Sequence, residues 1–70
     1  MQRIPVNSSN IAAIGYDPDS SILEIEFNDG SIYQYFGVPE LVHQELMDAG
    51  SHGKYFAQNI KNDYEYKKVN

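Results

Sequence analysis

The segment ILEIEFNDGSIYQYF, residues 22–36, decides the fold because it holds two apolar runs on either side of a turn. In the first run, Ile22 to Phe27, apolar residues alternate with two glutamates. This two-residue period is typical of a strand that buries one face. Asn28-Asp29-Gly30 supplies turn residues, and the run from Ser31 to Phe36 follows it directly. The segment therefore predicts an antiparallel hairpin.

The turn leaves two registers open. Tyr33 and Tyr35 share one face of the sheet in both, but that face is the solvent face in one register and the core face in the other. A two-residue type I′ loop at Asp29-Gly30 would set both tyrosines against the glutamates on the solvent side. A three-residue loop with Gly30 in the left-handed conformation would set them against the apolar residues in the core. We favour the three-residue loop, because its last position requires glycine and Asp-Gly is a weaker type I′ signal than Asn-Gly.

A further strand precedes this hairpin. The run IAAIGYD, residues 11–17, ends in Asp17-Pro18-Asp19-Ser20. Proline presets the backbone angle φ and the aspartates can bond their own backbone, so this stretch is strong turn chemistry. Gly15, inside the run, indicates a β-bulge. The three runs together predict a three-stranded antiparallel meander.

Two helices are predicted after the meander. Pro39 suits a first helical turn, since its missing N–H would have had no partner there. Val42, Leu46 and Ala49 then recur at helical spacing and form an apolar stripe. Gly50 is a plausible stop after the last turn.

The second helix is expected to begin after Ser51, whose side chain can cap it, and to run to about Ile60 or Lys61. Phe56 and Ile60 should face the core. The fold class is therefore α+β, ordered β-β-β-α-α, with both helices on one face of the sheet. We expect one domain over residues 1–70, with a core from about 6 to 64 and a C-terminal tail, 65–70, that is either extended or flexible.

Composition excludes several classes of function. The chain has 70 residues, no cysteine and a net charge of −5. It lacks the roughly 18-residue apolar run of a membrane helix, and we expect a cytoplasmic protein without a membrane partner. His43 and His52 show no metal-ligand spacing, and sequence adjacency does not align Ser51 with His52 for catalysis. We predict a non-enzymatic module with no catalytic residue, metal, cofactor or small-molecule substrate.

Charge is distributed unevenly along the chain. Residues 1–53 carry one arginine against eight acids, whereas residues 54–70 carry four lysines against two acids, a net of +2. Basic residues interleaved with aromatic ones can neutralise phosphates while stacking on unpaired bases. The predicted site for weak, salt-dependent RNA binding consists of Lys54, Lys61, Tyr64, Tyr66, Lys67 and Lys68.

An alternative hypothesis is a protein-interaction module that uses an uncovered sheet face or an edge strand. Its surface would be acidic and partly apolar. Alternating glutamates on a strand are typical of a solvated face, so we expect these side chains to be exposed. The residues concerned are Glu24, Glu26, Ile32 and Phe36.

Four segments occur in a fixed order between about Val6 and Tyr64: SSNIAAIGYD, LEIEFNDGSIYQY, VPE and SHGKYFAQNI. Together they resemble the KTSC domain. The Tyr-x-Tyr motif of the family matches Tyr33 and Tyr35, which we interpret as structural. A further motif falls on Ser51, Gly53, Tyr55 and Phe56, which we also interpret as structural.

The resemblance implies a small module that occurs as a stand-alone bacterial protein and as a C-terminal appendage of some lysyl-tRNA synthetases. That context suggests RNA as a partner. No synthetase catalytic domain is present in the sequence, so the resemblance does not imply aminoacylation.

Overall fold

The computed structural model describes all 70 residues, as one five-stranded sheet and two helices. The elements in chain order are β1 Arg3–Pro5, β2 Ile11–Asp17, β3 Ile22–Phe27, β4 Ile32–Tyr35, α1 Glu40–Asp48, α2 His52–Asn59 and β5 Tyr66–Lys68. The strands lie in the order β1-β2-β3-β4-β5, and every neighbouring pair is antiparallel.

The α+β class is confirmed, but the prediction of three strands was too low. The two additional strands, β1 and β5, form the edges of the sheet and have only three residues each. All three residues of β5 are exposed, so no buried face imposes an apolar alternation on its sequence. The C-terminal tail, predicted as either extended or flexible, therefore contributes an edge strand to the sheet.

The register of the β3–β4 hairpin is the one that the three-residue loop predicts. Leu23 pairs with Tyr35 and Ile25 pairs with Tyr33. Gly30 has a φ of 91°, and the N–H of Phe27 donates to the carbonyl oxygen of Ser31 at 2.8 Å. Both tyrosines consequently lie on the face of the sheet that packs against the helices.

The predicted bulge lies elsewhere in β2. The register shifts between Ile11 and Ala13, whereas Gly15 pairs regularly with Arg3 on β1. A Cβ atom on Gly15 would lie 2.9 Å from the backbone carbonyl oxygen of Gln2. Glycine is therefore required at this position because β1 approaches closely, which is the other common reason for glycine within a strand.

The helix boundaries agree with the sequence signals. Pro39 occupies the N-cap of α1, and Ala49 caps its C-terminus with Gly50 next in the chain. Ser51 caps α2, because its side chain accepts a hydrogen bond from the N–H of Lys54 at 3.2 Å. The prediction of Ser51 as a cap is thus confirmed.

The core lies between the sheet and the two helices. One cluster of nine buried residues joins strands to helices, which confirms that both helices pack on the same face. Its members are Ile11, Ile14, Leu23, Ile25, Tyr35, Val38, Leu46, Phe56 and Ile60. Neither helix has the length and apolar character needed to cross a lipid bilayer.

Candidate functional site

Five aromatic rings meet at the β4–β5 edge of the sheet. Chain reversal after α2 brings β5 beside β4, so that Tyr66 pairs with Tyr35 and Lys68 with Tyr33. Ring centroids of neighbouring members lie between 5.3 and 6.5 Å apart. The rings belong to Phe27, Tyr33, Tyr35, Phe56 and Tyr66.

A groove of about 400 Å³ opens beside these rings, between the sheet and α2. This size falls within the range of small-ligand sites, roughly 300–1,000 Å³. We call it the aromatic groove. Its lining includes Asn10, Tyr33, Tyr35, Phe56, Lys61 and Tyr66.

The rings of the groove differ in accessibility. Tyr35 is only 4% exposed, Tyr33 is half-buried and Tyr66 is 59% exposed. Burial raises the pKa of Tyr35 to about 12, with smaller contributions from Tyr33 and Tyr66. Tyr35 is therefore a neutral part of the groove floor, whereas Tyr66 presents an open ring face to solvent.

The structure divides the six residues predicted to bind RNA. Lys61 and Tyr66 line the aromatic groove. Lys68 lies on the same side of the sheet, since it pairs with Tyr33. Lys67 pairs with Gln34 and projects from the opposite face, because successive residues of a strand alternate.

The other two predicted residues stand apart from the groove. Tyr64 packs against the core cluster. Lys54 is exposed on the first turn of α2, seven residues before Lys61 and about two helical turns away from it.

Sequence reasoning missed the contribution of Tyr33 to the groove and also missed Asn10. Tyr33 becomes part of the groove because β5 pairs with β4, and this pairing was not predicted from the sequence. The echo of Tyr33-x-Tyr35 in Tyr64-x-Tyr66 was the available signal, but it gave no indication of which residues face each other.

The motif at Ser51, Gly53, Tyr55 and Phe56 has a structural explanation at each position. A Cβ atom on Gly53 would collide with the amide oxygen of Asn10, so glycine lets α2 pack against the loop before β2. The Tyr55 hydroxyl donates to Glu45 Oε1 at 2.6 Å, which raises the pKa of Tyr55 to about 12. Phe56 is part of the buried cluster.

The opposite face of the sheet carries an ion-pair network rather than solvated acids. Glu24 is only 6% exposed and forms a salt bridge with Arg3, whose Nε also donates to Glu26 at 3.1 Å. The Gln34 amide donates to Glu24 at 2.8 Å. Burial alone would raise the pKa of Glu24, but the hydrogen bonds from Gln34 and Arg3 outweigh burial and hold this pKa below its usual value.

This network changes the surface assumed by the protein-interaction hypothesis. The expectation that both glutamates are solvated was wrong for Glu24, and Arg3 pairs with both carboxylates. Ile32 and Phe36 are half-buried. The hypothesis itself stays a prediction.

Neither histidine is placed beside a nucleophile. The ring of His43 stacks on Tyr16 with centroids 4.7 Å apart, and burial lowers the pKa of His43. His52 Nδ1 lies 2.8 Å from the carbonyl oxygen of Leu46, and the Ser51 hydroxyl caps α2. All three side chains therefore have structural contacts.

A small α+β module with an aromatic groove at one sheet edge is the class that the fold and the site define. The family model of the KTSC domain matches residues 7–64. The chain belongs to the KTSC domain family.

Similar proteins include both stand-alone chains and part of a larger enzyme. A KTSC domain protein from Yersinia pestis, known from a crystal structure, is 49% identical, with a TM-score of 0.96 over 99% of this chain and 97% of that one. An uncharacterised protein from Stutzerimonas stutzeri is 41% identical over 70 residues, 99% of each chain. A lysine–tRNA ligase from Nostoc is 44% identical over 61 residues, which are 87% of this chain and 11% of the ligase.

Proposed function

We propose that this domain is a non-enzymatic module that weakly binds single-stranded RNA through the aromatic groove. The observation that carries the proposal is the exposed ring of Tyr66 beside Tyr33, with Lys61 and Lys68 on the same side of the sheet. An unpaired base needs an aromatic face for stacking, and its phosphate needs a nearby cation.

The charge of the chain sets the expected affinity. Stacking of one base on an aromatic side chain contributes about 1–3 kcal/mol, and each lysine contact with a phosphate adds a salt-dependent gain. The net charge of −5 opposes this gain at longer range. We therefore expect dissociation constants of about 100 µM, the weak end of nonspecific binding.

The relatives support RNA as the partner. One of them is a lysine–tRNA ligase, an enzyme whose name gives tRNA as its substrate. This chain matches only 11% of that enzyme, so a binding role is transferred here and the ligase reaction is not.

Titration of a fluorescently labelled single-stranded RNA into the protein at low salt tests the proposal. Tyr66→Ala should weaken binding by about tenfold, the equivalent of 1.4 kcal/mol of lost stacking. Lys68→Gln should also weaken binding and should lower the slope of log K against log salt by about 0.7.

Lys67→Gln is the matched control, because this neighbour carries the same charge on the opposite face of the same strand. It should leave binding nearly unchanged. The proposal fails if the unmodified protein shows no binding at about 100 µM, or if Lys67→Gln weakens binding as much as Lys68→Gln.

A further inference from the structure

We infer that the aromatic groove holds a single nucleotide of an RNA chain, and that the rest of the strand makes no additional stable contact. This inference rests on the proposed function and specifies the size of its ligand. Three features of the groove lead to it: the spacing of the rings, the number of exposed rings, and the charges at the two ends.

The ring spacing excludes insertion of a base beside Tyr66, and the Tyr33–Tyr35 pair, with centroids 6.5 Å apart, is closed because Tyr35 is only 4% exposed. A base held between two rings needs them about 7 Å apart, since each stacking contact spans about 3.5 Å. The centroid of Tyr66 lies 5.8 Å from that of Tyr33 and 5.6 Å from that of Tyr35. The planes of these pairs are also inclined, by 50° and 34°. A base must therefore stack on the outer side of the cluster.

Only one ring of the cluster is open enough to act as a platform. Tyr66 is 59% exposed, whereas Tyr35 and Phe56 are each 4% exposed and Tyr33 and Phe27 are half-buried. A second base would need a second exposed ring at stacking distance from the first. The cluster provides none, so stacking ends after one base.

Carboxylates neighbour groove-lining residues at two places in the chain. Asp63 and Glu65 lie in the loop that leads into β5. On the other side, Asp29 accepts hydrogen bonds at 2.9 and 2.7 Å from the N–H and the hydroxyl of Ser31, a residue of the groove lining. Phosphates that extend beyond the groove would meet like charge in both directions.

The cations next to the groove suffice for one nucleotide and its flanking phosphates. They are Lys61 and Lys68. With two lysines in contact with phosphate, the slope of log K against log salt for a single strand should be about −1.4. Lys54 lies on the first turn of α2, whereas Lys61 follows the end of this helix, so the two lysines stand at opposite ends of α2.

A length series tests the inference. Trinucleotide, hexanucleotide and decanucleotide RNAs of one base are titrated into the full chain and followed by amide chemical shifts, the trinucleotide being the shortest RNA whose central nucleotide has a phosphate on each side. Each dissociation constant is corrected for the number of nucleotides in the RNA that can occupy the groove. The corrected constants should agree within about threefold. The largest amide chemical-shift changes should fall on residues 61–68 and on Tyr33. An affinity per binding position that rises more than about threefold from trinucleotide to decanucleotide overturns the inference.

Two lysine variants give an independent readout with the decanucleotide. Lys61→Gln should weaken binding and reduce the salt slope by about 0.7, whereas Lys54→Gln should leave both unchanged. Equal effects of the two variants would mean that the strand follows α2, which overturns the inference while the proposed function stands. No binding at any length at about 100 µM would overturn the proposed function together with the inference.

Discussion

The sheet face that the helices cover and the face that they leave open are stabilised in different ways. On the covered face, Leu23 and Ile25 are fully buried against apolar and aromatic neighbours. On the open face, between these two residues in the same strand, Glu24 is also buried, but it pairs with Arg3 and Gln34. Adjacent positions of one strand thus depend on dispersion and the hydrophobic effect in one case and on charge pairing in the other.

This difference shows that a strand with alternating apolar and polar residues need not have one buried face and one solvent-exposed face. The polar position of such a pattern is buried here because a short edge strand, β1, carries a long cationic side chain across the sheet. The aliphatic stem of an arginine can cover a neighbouring strand while its guanidinium binds a carboxylate. The covered face should therefore respond to lost volume, and the open face to lost charge.

The largest expected effect is a loss of volume on the covered face. Ile25→Ala should lower the free energy of unfolding by about 2–5 kcal/mol, because it leaves a cavity in a closed core. Ile32→Ala, on the open face of the neighbouring strand, should cost well under half as much. Urea denaturation measures both variants, and equal costs would contradict the difference between the faces. If Ile25→Ala does not fold, Ile25→Val against Ile32→Val gives the same comparison with a smaller cost, about 0.5–1.5 kcal/mol on the covered face.

A smaller effect is expected where β1 approaches β2. Gly15→Ala should lower the free energy of unfolding by about 1–3 kcal/mol, since the new methyl group would press on the backbone of β1. Gly50→Ala is the matched control, because no atom lies within 4 Å of a Cβ placed there. Thermal unfolding distinguishes the two variants. If the Gly15→Ala protein were as stable as the control, β1 would not pack closely against the backbone at position 15.

The smallest expected effect is the loss of charge on the open face, and it should depend on pH. Arg3→Met should lower the urea midpoint at pH 7, because it leaves the Glu24 carboxylate without its cation. The decrease should be smaller than the one caused by Ile25→Ala. The folded pKa of Glu24 lies below its unfolded value, so this carboxylate contributes stability above about pH 4.3, and the contribution is lost as the pH falls through the folded pKa. The difference between Arg3→Met and the unmodified protein should therefore shrink from pH 7 to pH 3.

Lys67→Met is the control for this pH dependence. Lys67 lies on the same open face and carries the same charge, but it forms no salt bridge. Its effect should be small and nearly constant with pH. A pH-independent effect of Arg3→Met would contradict the assignment of Glu24 as a stabilising carboxylate.

Local signals were sufficient to predict the hairpin and both helices. Gly30 and Asp29 favoured the observed β3–β4 register, because a three-residue loop takes glycine at its last position and Asp-Gly is a weaker type I′ signal than Asn-Gly, and Ser51 marked the start of α2 by its capping chemistry. The edge strands were harder to predict, because three residues carry too little periodicity. Gly15 was misread as a bulge because the reason for glycine there is the backbone of Gln2, a contact that no local pattern encodes.

The candidate site was predicted only in part for the same reason. Sequence reasoning found Lys61, Tyr66 and Lys68 from charge and aromatic content. It placed Lys67 with them, although strand alternation puts Lys67 on the other face. The role of Tyr33 depends on β5 returning to pair with β4 after two helices, a long-range pairing that composition does not reveal.

The order of the strands has a consequence for how this domain would be joined to another protein. The chain enters the sheet at the β1 edge and leaves it at the β5 edge. These edges are four strand spacings apart, about 19 Å. A tether attached ahead of Met1 would therefore hold the domain at the sheet edge opposite β5 and Tyr66. In such a fusion, Tyr66 and the β5 edge would lie four strand spacings, about 19 Å, from the strand that carries the attachment.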